Sequence, residues 1–271
     1  MAYVDIGWPW GLCLLAYNCS QASGWWIRRY LVSTLMLLHG FRMSLGGALL
    51  FGKMTNFTYI FKEDLQRYKF AKHRWSQVHG MPESTWWIKA QHDTLQQCLA
   101  NSIVLAAPVI IQAVNPKEEL NFLEIIGWAV WVCAWLYENV ADAQKRNFLL
   151  ESSRIRKKLT KTIEDGSKTA GKDLEELNKA VNGQTPPFTN NLWSQHRHPN
   201  YFGEWCCWLG FAISAIPSVQ DLCSGSLQQC AYYLMLFYTI RVFYDCLVHW
   251  TGAGPAEHFS ALKRGKNYTE Y

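Results

Sequence analysis

Apolar residues in this chain fall in long runs, and the polar residues are gathered between them. Six runs approach the ~20 residues that a helix needs to cross about 30 Å of hydrocarbon. They cover residues 7–20, 27–51, 95–114, 122–140, 201–219 and 227–250, and the first is the shortest. Trp8, Trp10, Trp25, Trp26, Trp86, Trp87, Trp193 and Trp250 collect at their ends, where amphipathic rings prefer the headgroup layer. No stretch sustains the alternation of a strand, and no internal repeat is visible. The pattern predicts an all-α fold, a polytopic transmembrane helix bundle of about six spans.

The polar segments orient that bundle. An even number of spans puts both termini on one side, together with the loops 52–94 and 141–200. Ten Lys and Arg lie between Lys145 and Lys179, whereas the opposite side offers Lys117 with Glu118 and Glu119, and Asp221. Arg28 and Arg29 are the exceptions. Positive charge stays inside, so the termini and long loops are expected in the cytosol of an endoplasmic reticulum protein, or the matrix if the membrane is the mitochondrial inner one. This asymmetry explains the formal net charge of +5. No nucleic-acid partner is expected, because Glu and Asp are interleaved with the basic residues.

Composition agrees with a membrane protein. A hydrophobic content of 49% with 14 Trp excludes a disordered chain, and the mean hydropathy of -0.11 averages apolar runs with polar loops. At 271 residues the chain is expected to form a single domain. Residues 151–190 form a polar loop insertion within it, with a weak helical pattern at 173–181. The segment 75–88 mixes Trp, His and Pro and is expected along the interface. No basic segment precedes the first apolar run, so no cleavable signal is expected. Cysteines lie mostly inside apolar runs without a CxxC pair, and Cys206-Cys207 fits packing better than redox chemistry.

Four polar clusters share the cytosolic side and could build one pocket. These are Glu63-Asp64-Leu65-Gln66-Arg67-Tyr68, the trio Glu138, Asp142 and Lys145, the stretch from Trp193 to Glu204, and Gly254-Pro255-Ala256-Glu257-His258. The trio is spaced four and three apart, which places it on one helix face. Pro199 suits a first helical turn, whose free N–H groups favour an anion such as phosphate. Further in, Arg241, Asp245 and His249 are spaced four apart, and Arg241 with Asp245 suits a structural pair. His39 and Arg42 are a similar case. His196 and His198 are two apart with no cysteine or carboxylate at ligand spacing nearby, so no metal site is expected.

Taken together, these motifs resemble the steroid 5-alpha-reductase-like family of membrane reductases, in its DUF1295 branch, related to sterol C14 and delta-7 reductases. Val4-Asp5-Ile6-Gly7-Trp8 is similar to the family's opening and His39-Gly40-Phe41-Arg42 to its Trp-x-x-Arg helix. Glu63 to Tyr68 is similar to its Glu-Asp-x-Arg-Tyr loop with one extra residue. Glu138-Asn139-Val140-Ala141-Asp142-Ala143-Gln144-Lys145 fits Glu-x-x-Ala-Asp-x-Gln-Lys. Arg197-His198-Pro199-Asn200-Tyr201-Phe202-Gly203-Glu204 fits the signature Arg-His-Pro-Asn-Tyr-x-Gly-Glu, and Gly254 to Glu257 resembles a late Gly-x-Pro-x-x-Glu.

The resemblance implies a cytosol-facing pocket for NADPH, and hydride delivery to a carbon–carbon double bond of an apolar lipid or steroid-like substrate. It assigns cofactor binding to Asp142, Lys145, Trp193, Arg197, His198, Asn200, Tyr201 and Glu204, and proton donation to Tyr68 beside Arg67. Met43 follows Arg42 where the family has leucine, and Gly40 replaces an aromatic of the steroid-specific branch, which argues against a steroid. Two alternatives remain open. One is a non-catalytic accessory subunit of a larger membrane complex, for instance respiratory, suggested by the long insertion and by the lack of a Thr-x-x-Phe-x-Pro ending after Tyr271. The other is a lipid or isoprenylcysteine methyltransferase, whose membrane members share an Arg-His-Pro-x-Tyr pattern.

Overall fold

A computed structural model describes residues 3–52, 66–164 and 191–269, and helix is the only regular structure among them. The helices are α1 (Tyr3–Ser20), α2 (Trp26–Gly52), α3 (Gln66–Gln77), α4 (Trp86–Leu99), α5 (Ala107–Ala113), α6 (Phe122–Glu164), α7 (Pro199–Leu222), α8 (Ser226–Asp245), α9 (Ala253–Arg264) and α10 (Lys266–Thr269). Every apolar run of the sequence is therefore helical. π-helical turns at Ala100–Leu105 and Cys246–Trp250 extend α4 and α8. The chain is an all-helical membrane protein.

Among the described residues, three stretches, Glu83–Ala113, Pro199–Leu222 and Ser226–Leu262, are long and apolar enough to cross a membrane. The other three runs of the expected six fall on α1, α2 and α6. α1 has only 18 residues, α2 carries Arg28, Arg29, His39 and Arg42, and α6 carries Glu124 and Glu138. One boundary needs correction. The polar insertion was expected from residue 151, but α6 continues to Glu164. Residues 141–164 contain neither Gly nor Pro and are rich in Lys, Arg, Leu and Glu, so nothing stops the helix. Residues 173–181 lie outside the described residues, as do Glu63, Asp64 and Leu65.

The chain divides into two compact units, Met1–Cys133 with Trp205–Cys246, and Ala134–Glu204 with Leu247–Tyr271. In the first unit, α6 starts with a reciprocal cap. Asn121 Oδ1 accepts the Leu123 N–H at 2.9 Å and Glu124 Oε2 accepts the Asn121 N–H at 2.8 Å, the pairing expected of a polar residue followed three positions later by Glu. Glu124 also holds Arg28, whose Nε donates to Oε1 at 2.5 Å and Nη2 to Oε2 at 3.2 Å. The remaining guanidinium donors reach the carbonyls of Asn115, Lys117 and Glu119. All five N–H groups of Arg28 are thus used, with both side chains at or below 1% exposure. Arg28 breaks the charge-sidedness rule because its charge is neutralised inside the protein.

Neighbouring contacts follow the same logic. Asn115 Nδ2 donates to Ser218 Oγ at 2.9 Å and to Asp221 Oδ2 at 3.0 Å, and Lys117 pairs with Asp221 at 3.1 Å. Gly24 sits where a Cβ would lie 2.8 Å from the Asn115 oxygen, so the chain can approach closely enough for Trp25 N–H to bond that oxygen at 2.9 Å. Gly210 likewise faces Gly127, and a Cβ on it would come within 2.7 Å of the Gly127 oxygen. Buried Gln112 accepts from Trp128 Nε1 at 2.9 Å and donates to the carbonyls of Pro108 and Phe211. Thr239 donates to Val104 O at 2.9 Å, satisfying a carbonyl in the π-helical turn. His39 is buried, edge-on to Trp131 and Trp208, and Arg241 pairs with Asp245 at 3.1 Å as expected.

Candidate functional site

The second unit contains three of the four polar clusters. On α6 they are Glu138, Asp142, Gln144 and Lys145, within a part of the helix that runs past Ala141, which is fully buried. A 3-10 turn, Asn191–Ser194, then leads towards α7. Its first residue, Asn191, has φ of 57°, a left-handed conformation that asparagine tolerates better than most. The turn swings Trp193 inward. Its indole Nε1 donates to Ala141 O at 3.0 Å, and Lys145 Nζ lies 5.2 Å from the ring centroid, a cation–π distance. This corrects the sequence picture of Trp193 as an interfacial ring, because it is 5% exposed. Trp10, Trp26, Trp87 and Trp250 do remain exposed.

α7 begins at Pro199, as the sequence predicted, because proline needs no partner for a missing N–H. The carbonyl of His198 accepts the N–H groups of Tyr201 and Phe202 at 3.1 and 3.2 Å, so part of the turn's donor capacity is already used. Gly203 allows a close approach to α6, where a Cβ would stand 2.8 Å from Glu138 Cβ. Glu138 and Glu204 are both 4% exposed.

Glu257, on α9, joins the late motif to the signature. Its Oε2 accepts from Arg197 Nη1 at 2.9 Å, and its Oε1 lies 3.0 Å from His198 Nε2. The Arg197 guanidinium lies 5.4 Å from the Tyr268 ring. His198 stacks on Tyr201 with centroids 5.1 Å apart and planes 13° from parallel. Gln144 Oε1 and Asn200 Oδ1 are buried acceptors of this unit with no hydrogen-bond partner among the described residues. Buried polar atoms are rarely left in this state.

The structure therefore brings Arg197, His198 and Tyr201 together with Glu257 and Tyr268, and Lys145 with Trp193. Asn200 and Glu204 lie in the opening turns of α7, and Asp142 is half-buried one turn before Lys145 on α6. Arg67 and Tyr68 belong to the first unit, on α3. There Arg67 pairs with Asp5, and its Nη2 donates to the Tyr68 hydroxyl at 3.1 Å. Glu257 lies within a cluster visible in the sequence, but its partners are not, and Gln144 lies unmarked inside a matched motif. Tyr268 carried no sequence signal.

Burial pushes the His198 imidazole below its ordinary value. Lys145 and Arg197 act in the same direction, while the hydrogen bond and charge of Glu257 oppose them. Neutral His198 donates its Nε2 proton to Glu257, which leaves Nδ1 as an acceptor. The unfolded chain therefore takes up a proton near pH 6.5 that the folded site resists. Stability contributed this way is present above pH 6.5 and is lost as pH falls through the lowered value. His198→Gln keeps a donor towards Glu257 but cannot titrate. Its melting temperature should fall less steeply than that of the parent below about pH 6.5, and superimposable acid limbs would count against a half-buried, neutral His198.

A family model described as "Protein of unknown function (DUF1295)" matches residues 1–271. Neither the curated proteins nor the solved structures gave a match. The signature at Arg197–Glu204, the motif at Glu138–Lys145 and the late Glu257 thus sit within a match to the whole chain. The chain belongs to the DUF1295 family.

Proposed function

We propose that this protein is a membrane oxidoreductase that holds NADPH in the unit of Arg197, Asn200 and Glu257 and reduces a carbon–carbon double bond of an apolar lipid. The observation that carries this is the pair of buried acceptors, Asn200 Oδ1 and Gln144 Oε1, left without a partner among the described residues in a unit that also presents Lys145 and Arg197. Acceptors of this kind suit the hydroxyl and amide N–H donors of a nucleotide. Lys145 and Arg197 suit its phosphates, and a guanidinium can grip a phosphate through two parallel bonds. The residues present fit the group. Bound NADPH would supply the hydride, and the protein's part is to position it and to deliver a proton.

Within the site, Glu257 keeps Arg197 and His198 in place, and a phosphate arriving at Arg197 would compete with that carboxylate. Stacking of His198 on Tyr201 fixes the imidazole plane, so the Nδ1 acceptor has a defined direction. Asp142, Glu204 and Trp193 complete the proposed binding set, and Tyr68 beside Arg67 is the proposed proton donor. The endoplasmic reticulum is the proposed membrane.

Thermal denaturation of the detergent-solubilised protein separates this reading from methyl transfer. NADPH at about a hundredfold excess over its Kd should stabilise the fold by roughly 2.7 kcal/mol, and S-adenosylmethionine should leave the melting temperature unchanged. The reverse pattern would favour a methyltransferase. No shift with either ligand would favour an accessory subunit of a larger complex.

A further inference from the structure

α3 is a basic helix with nothing acidic in it. Its sequence from Gln66 to Gln77 carries Arg67, Lys69, Lys72, His73 and Arg74 and no Asp or Glu. Tyr68 and Trp75, seven residues apart, share the inward face of the helix and are each 5% exposed. Arg67 spends its charge on Asp5, and Lys72 lies over the Trp86 ring at 5.6 Å. Lys69 is exposed and Arg74 half-buried, and neither has a carboxylate partner among the described residues.

The membrane level of this helix follows from what comes after it. Glu83–Ala113 is a helical stretch apolar enough to span a bilayer, and Trp86 and Trp87 stand at its start. Trp87 is 67% exposed and flanked by exposed Ile88, the position of an aromatic anchor at the headgroup layer. Trp86 packs edge-on against Trp75 of α3, with centroids 6.5 Å apart. This contact holds the basic helix beside the start of the span, and the link between Gln77 and Glu83 is too short to carry it far. Lys69 and Arg74 are thus presented at headgroup depth without a counter-ion among the described residues.

We infer that α3 is a docking surface for anionic phospholipid headgroups, with Lys69 and Arg74 as its phosphate- and carboxylate-binding charges. This rests on charge complementarity, because a helix whose charged side chains are all positive, beside a membrane anchor, attracts the negative lipids of its leaflet. It is independent of the nucleotide site.

The full chain, purified in detergent containing equal amounts of phosphatidylcholine and phosphatidylserine, can be assayed for retained lipid by mass spectrometry. The parent should retain phosphatidylserine in excess. Lys69→Gln and Arg74→Gln should each lower the retained serine-to-choline lipid ratio by up to about fivefold, since one basic residue near the surface contributes about 1 kcal/mol. Glutamine is a good helix former, and an unchanged melting profile confirms that each variant is folded. Lys161→Gln removes an equal charge from the far end of α6 and should leave the ratio as in the parent. Three outcomes overturn the inference: identical lipid profiles in parent and α3 variants, an equal loss in the Lys161 variant, or release of a bound protein rather than of lipid.

Discussion

Glu124→Gln should destabilise the protein by about 3–5 kcal/mol, the usual effect of removing one partner from a buried ion pair. Glutamine still serves the third position of a capping box, so the bond to the Asn121 N–H is retained and the lost charge is isolated. Arg28 would then keep a full positive charge at 1% exposure with only carbonyls around it. Equilibrium unfolding in detergent measures the loss. Asn121→Ala provides the comparison, because removal of the cap alone costs about 1 kcal/mol. Combining Arg28→Met with Glu124→Leu should cost less than the sum of the two single changes, since no uncompensated charge remains. A Glu124→Gln variant as stable as the parent would mean that Arg28 is not neutralised by Glu124.

The second large effect concerns ligand binding. Arg197→Ala should weaken NADPH binding about 10- to 100-fold, as expected for a lost bond to a charged group, and Asn200→Ala by roughly five- to tenfold. Arg197→Lys keeps the charge but not the fork, and should fall between parent and alanine variant. Titration followed by nucleotide fluorescence gives the affinities, and melting in the absence of nucleotide shows whether the fold has changed. Because Arg197 also bonds Glu257 at 2.9 Å, its removal leaves that carboxylate with His198 as its remaining partner among the described residues. Asn200→Ala is therefore the cleaner change, as the Asn200 oxygen has no bond to lose among the described residues.

Much of this was legible in the sequence, for identifiable reasons. Apolar runs fixed the helices because each run is bounded by polar segments, and Pro199 marked the start of α7. Pairing of Arg241 with Asp245 followed from a spacing of four. What stayed hidden depended on distant partners. Nothing local to Arg28 shows that Glu124, 96 residues away, holds it, so it read only as a breach of charge sidedness. Trp193 looked like an interfacial ring because composition cannot show that its indole reaches Ala141 across 52 residues. Glu257 lay in a recognisable cluster, but its contacts with Arg197 and His198 come from folding. The end of α6 is not marked by polarity, because residues 151–164 are polar but hold no helix breaker.

The most direct measurement is mass spectrometry of whatever nucleotide accompanies the protein through purification in mild detergent, made in parallel on the parent and on Asn200→Ala. The expected result is NADP(H) with the parent and much less of it with a variant that melts at the same temperature. Equal nucleotide in both, S-adenosylmethionine in its place, or no nucleotide even after incubation with NADPH would contradict a dinucleotide site built on Arg197, Asn200 and Glu257.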